Sequence, residues 1–234
     1  MRSKQSPRPG GRLWSSEHPS GRVLRIPRQI SRSQRRLIAA AFHEAGHAVA
    51  AFHVGVRFRR MAIGKNTAKE LGWLELWLTP QATADGVVDV RTEHAIERSV
   101  IVLLAGGQAE RVALGRAKYL GSGLDFLEAV RYVGYLCRTR PEVSAYLRWM
   151  QLRVHALVGS ATWRRPIEAL ARCLIERRQL GAREARNIIR HAIAMSSRQN
   201  AGNRASSVPK GAVSFRHSRP NSRWKGARHS TRFS

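Results

Sequence analysis

Two histidines and a glutamate stand together in the stretch His43-Glu44-Ala45-Gly46-His47-Ala48, inside an otherwise apolar run. On an α-helix His43 and His47, four residues apart, project from one face about one turn apart. Two imidazoles so placed can grip a single Zn²⁺, and a glutamate beside them can take a proton from an activated water. Burying such groups unpaired is costly, so apolar surroundings imply a partner for them. The competing reading is a helix that turns this polar face to solvent. Gly46 favours the first. A glycine inside a helix costs about 1 kcal/mol against alanine and usually marks the close approach of another element.

A catalytic zinc takes three protein ligands and keeps one position open. His53 is tempting, because residues 43–53 imitate an H-E-x-x-H-x-x-G-x-x-H pattern. The glycine of that pattern is Ala50 here, and Ala50-Ala51 favours a continuing helix. On a continuous helix His53 lies about 100° around from the His43/His47 face and more than a turn beyond it. It reads as a helix-end histidine. Downstream, Gly106-Gly107 inside an apolar helix permits tight packing against a neighbour, with the helix of His43 as the candidate. After a Gly121-Ser122-Gly123 loop, Asp125 falls in the first turn of a helix. A carboxylate there serves as a cap or dipole partner as readily as a ligand, and the residues alone leave both roles open.

The elements that must position these groups read as predominantly helical. Ser31 and Gln34 form an S-x-x-Q capping box ahead of Leu37, Ile38, Ala41, Phe42, Ala45, Val49 and Phe52, which recur at helical spacing. This predicts a helix over about 32–53, stopped by Gly55. Residues 57–63 and 71–78 carry β-branched or aromatic residues in partial alternation and predict a short hairpin or small sheet. Further helices are expected from Asp89 or Thr92 to Gly115 and over about 124–137, 141–158, 162–179 and 183–195, with a turn at Gln179–Gly181. The strand through Trp73-Leu74-Glu75-Leu76-Trp77 has two readings: an edge that receives an extended peptide, or two tryptophans packed on the core.

A chain of 234 residues fits one domain with long tails. Its net charge of +27 is concentrated at the ends. Residues 1–36 hold ten Lys/Arg against Glu17 alone, and residues 196–234 hold nine with no acid. Both ends are rich in Arg, Ser, Gly and Pro and lack apolar runs, so ordering them would go uncompensated. The expected division is a disordered basic tail over 1–30, a domain over 31–196 and a second disordered basic tail over 197–234. The N-terminus lacks the apolar stretch of a secretory signal, and its prolines and glycines spoil the amphipathic helix of an import peptide. No run of 18 apolar residues offers a membrane span. Cys137 and Cys173, without CxxC spacing, read as buried thiols of a reducing compartment. Cytoplasmic residence is the expectation.

Taken in order, HEAGHA at 43–48, a short hairpin, Ala105-Gly106-Gly107-Gln108-Ala109-Glu110 and Ser122-Gly123-Leu124-Asp125 resemble the peptidase domain of the FtsH-type zinc proteases (peptidase family M41). The resemblance covers roughly residues 35–195. It implies a mainly α, zincin-like helical peptidase domain with a small sheet beside the HEAGH helix. His43, His47 and Asp125 would then be zinc ligands and Glu44 the general base of a metallopeptidase. Arg111 departs from the family's second glutamate in the AGGxAE segment, and Ala129-Val130 from its Ala-Thr after the aspartate. No G-x-x-x-x-G-K-[ST] motif is present, so the expectation is a freestanding domain that acts without ATP on unfolded or flexible protein segments. A separate ATPase partner and the oligomeric state stay open.

A reading from a different class is a nucleic-acid-associated protein whose metallopeptidase-like domain is inert. Phe215, Trp224 and Phe233 interleave with arginines in the C-terminal tail, offering charge for phosphates and rings for stacking on bases. Both readings can hold together, with the tails delivering a protease to a polyanion.

Overall fold

Ser31 caps α1 (Arg32–Val54) in a full capping box, its hydroxyl accepting from the Gln34 N–H while the Gln34 side chain accepts from the Ser31 N–H. Gly55, at φ 74°, ends the helix in the left-handed conformation that glycine adopts without strain. The computed structural model describes residues 31–67, 70–76, 88–115 and 121–206. Within them the protein is mainly helical, with a small three-stranded antiparallel sheet.

Every residue of α1 from Ile38 to Ala51 is buried. Helices buried all round are central ones. Seven alanines and Gly46 in that stretch keep it thin, so neighbours approach closely on several sides. After α1 the chain forms β1 (Phe58–Thr67) and β2 (Glu70–Leu76), then α2 (Val90–Leu114). Asp89 caps α2 by accepting from the Thr92 N–H at 2.7 Å, and Gly115 closes it. Then follow α3 (Gly121–Val133), α4 (Arg140–Gly159), α5 (Ala161–Arg177), β3 (Gln179–Gly181) and α6 (Ala182–Ser206). The sheet order is β2-β1-β3, with Met61 opposite both Leu74 and Leu180. Helices α2 and α5 and the β1–β2 hairpin pack around α1, and the core joins them through Val49, Met61, Val100, Leu170 and Leu180.

Three elements depart from the sequence reading, α3 at both its ends. Gly121-Ser122-Gly123 is the first turn of α3 rather than a loop. The same helix stops at Val133, not 137, where Gly134 and Tyr135 enter a tight turn with the Tyr135 N–H donating to the Tyr132 carbonyl. Leu136 and Cys137 are apolar enough to extend the pattern on paper, but they belong to that turn. Gln179–Gly181 is not a plain turn. It pairs with β1 as β3, and only Leu180 of the three is buried. Helix α6 runs to Ser206, about three turns past the expected end and ten residues into the segment expected to be a tail. Extending a packed helix costs little per residue, and Pro209 is the first proline beyond it. Cys137 and Cys173 are free, half-buried thiols whose pKa values burial pushes up.

Candidate metal centre

His43 and His47 are 2 % and 4 % exposed, which removes the solvated-face reading. Their Nε2 atoms meet at 3.0 Å. Asp125, from α3, brings its Oδ2 to 2.8 Å from His43 Nε2 and 3.2 Å from His47 Nε2. A tetrahedral centre with bonds of about 2.0–2.1 Å sets its donor atoms about 3.3 Å apart. The three donors here lie slightly closer than that, so a small spreading opens a seat for an ion, and two imidazoles with one carboxylate suit zinc chemistry. Among the described residues, this is the group of histidine and acidic side chains that can hold a metal ion.

The surroundings fix the ligands. His47 Nδ1–H donates to the Val102 carbonyl of α2 at 2.7 Å, which leaves Nε2 facing the cluster. Gly106, one turn along α2, sits against the same ring: a Cβ there would fall 2.6 Å from His47 Cε1. Gly46 faces α2 from the other side, where a Cβ would lie 2.7 Å from both the Ala105 carbonyl oxygen and the Ala109 Cβ. The two glycines let α1 and α2 close on each other around His47. The sequence reading of close approach at Gly46 and Gly106 therefore holds, and at Gly106 the neighbour is the imidazole itself.

Glu44 is 4 % exposed and lies against β2, where a Cβ on Gly72 would be 2.8 Å from Glu44 Oε1. The carboxylate thus sits between the two histidines in sequence and under a strand in space. Its charge is among those that raise the pKa of His47.

The electrostatics divide the pair. Burial drives His43 down to about 4, aided by the charge of His47 and opposed by Asp125. Burial also works against a charged His47, but the Asp125 carboxylate, its hydrogen bond and Glu44 outweigh it and push His47 up to about 9. Burial alone would raise Asp125; the charge of His47 and hydrogen bonds from both imidazoles hold it well below the usual carboxylate range. The Asp125 carboxylate and the two imidazoles thus favour each other's charged forms, against the cost of burial.

His53 takes no part. It stacks on Trp163 of α5 at 4.9 Å between ring centroids and 5° between planes. Trp73 is half-buried with the Arg60 guanidinium 4.9 Å over its ring, and so lies at the margin of the core rather than inside it. Trp77 and the tail residues Phe215, Trp224 and Phe233 lie outside the described residues. Two participants had no sequence signal. Val102 contributes only its carbonyl, which any residue carries, and Gly72 matters only through the space it leaves for Glu44. No known family model matches the chain, and no curated protein matches it.

Proposed function

We propose that the chain is a zinc-dependent metalloendopeptidase that hydrolyses peptide bonds in unfolded or flexible protein segments, with a site like that of the FtsH-type zinc peptidases. The observation that supports this reading is the convergence of His43, His47 and Asp125 from two helices, with Glu44 buried beside them under β2. Bound by these three side chains, zinc would supply Lewis acidity and acidify a water near neutral pH. Glu44 is the group to accept the proton of the attacking water and return it to the leaving amine nitrogen. Val102 holds the His47 ring in the tautomer that keeps Nε2 available. Strand β2 lies at one edge of the sheet. An extended substrate segment added along that edge would have its main chain fixed beside Glu44, a geometry that admits unfolded segments and excludes folded domains.

The test is metal content and activity together. One zinc per chain should copurify. His43→Ala and His47→Ala should abolish it and Asp125→Ala should weaken it strongly, whereas His53→Ala should retain it. Glu44→Gln should keep the zinc and cut casein hydrolysis by roughly 10²–10⁴-fold, since it removes the general base alone. Loss of metal in His53→Ala with retention in Asp125→Ala would refute the ligand set. Bound zinc without metal-dependent cleavage would favour the inert-domain reading.

A further inference from the structure

The charge between the tails is as uneven as the charge at the ends. Residues 37–137, which hold the metal cluster, carry eleven Lys/Arg against ten Asp/Glu; residues 138–195 carry twelve against four. Three of those four acids are engaged. Glu142 accepts from the Arg138 and Thr139 N–H groups at the start of α4, Glu168 pairs with Arg164 at 3.8 Å, and Glu184 pairs with Arg177. The surplus therefore belongs to α4, α5 and α6.

On α6 it is organised. Arg183, Asn187, Arg190, Ala194 and Arg198 follow at intervals of four, three, four and four residues, which places them on one face. All five are exposed, as is His191 beside them. The buried residues Ala185, Ile189 and Ser196 lie on the opposite side of the helix. Arg183 and Arg198 are separated by about 22 Å of helix. No acid shares this face: Glu184 lies about 100° around it and is held by Arg177. Beyond Ser206 the sequence continues with seven Lys/Arg and no Asp/Glu to the C-terminus.

We infer that α6 is a docking helix for the phosphate backbone of a nucleic-acid duplex, separate from the metal cluster and independent of its chemistry. Arginine forks match phosphate oxygens two at a time, and a 22 Å row of them spans several phosphates of a duplex carrying a charge every ~1.7 Å of axis. A lipid surface fits less well. An amphipathic helix binds a membrane by burying an apolar face in it, and the apolar face of α6 is already packed inside the protein. Contacts of this kind read charge and spacing, not bases.

The test uses the full chain, so that the tails are the same in every arm. Affinity for a 20-base-pair DNA duplex of mixed sequence is measured across a salt series for wild type, for the triple variant Arg183→Ala, Arg190→Ala, Arg198→Ala, and for Arg91→Ala, Arg98→Ala, Arg111→Ala, which removes the same charge from exposed positions of α2 that do not share one face. Alanine suits exposed helix positions, and far-UV circular dichroism checks that each variant folds. The α6 variant should bind more weakly, with a slope of log affinity against log salt less negative by roughly two to three, near 0.9 for each lost phosphate contact. The α2 variant should keep the wild-type slope. Equal changes in both variants would reduce the effect to net charge, and no change in the α6 variant would assign all binding to the tails; either result overturns the proposal. So would an α6 variant that loses binding to phosphatidylserine vesicles while keeping its duplex affinity.

Discussion

A methyl group on Gly106 would fall on the imidazole of His47, the ring whose other nitrogen is fixed by the Val102 carbonyl. His47 cannot retreat without breaking that bond or leaving the cluster. Overpacking of this kind costs about 1–3 kcal/mol, and here the cost falls on the ligand geometry. Gly106→Ala should therefore remain folded but hold zinc at least about tenfold more weakly than wild type, read by competition with a chromophoric chelator. Unchanged affinity would mean that His47 is not held against α2 in the metal-bound protein. The sequence carried part of this. A glycine pair in an apolar helix announces close packing, and four-residue spacing announces a shared face. The identity of the packing partner does not follow from either. Asp125 shows the same limit: its position near a helix start is equally that of a cap, and only the fold brings α3 across to α1.

At the scale of elements, α1 is held at its C-terminal end by the stack of His53 on Trp163. Burial lowers the pKa of His53 from the ordinary 6.5, with a backbone hydrogen bond at Thr162 acting the other way, and its Nε2 is buried with no hydrogen-bond partner among the described residues. A lowered pKa means that the unfolded chain takes up the proton more readily than the folded one. The contribution of the neutral ring is thus fully present above pH 6.5 and is lost as the pH falls through the folded value. His53→Phe, which keeps a ring on Trp163, should flatten this acid limb: urea-unfolding free energies of the two proteins should converge or cross as the pH drops below 6.5. Parallel profiles would show that His53 is not the titrating group. The helices that announced themselves did so through local chemistry, as in the capping box at Ser31 and the glycine stops at Gly55 and Gly115. Strand β3 did not, because three residues with one buried side chain carry no periodicity. Its existence depends on the β1 edge it meets.

Among the described residues, the large apolar side chains that form the core lie between Ile38 and Ile189, and His43, His47 and Asp125 lie inside that span. The terminal segments supply charge rather than apolar surface. Helix α6, however, crosses the boundary drawn from composition: each residue added to a helix already started gains a backbone hydrogen bond, and Gly202, at ~1 kcal/mol, does not end it. A fragment of residues 31–206 should therefore be the better unit than one ending at 196. The longer fragment should match the full chain in metal content and in melting temperature within about 4 °C, the shift expected of less than ~1 kcal/mol in a domain of this size. The shorter one loses residues 197–206 of α6 and leaves the buried Ser196 at a fraying chain end, where its hydroxyl donates to the Ala192 carbonyl at 2.9 Å, and should melt lower. Thermal unfolding followed by circular dichroism distinguishes them. Identical melting of both fragments would show that residues 197–206 contribute nothing to the fold, and loss of zinc from the longer one would place part of the site's support in the terminal segments.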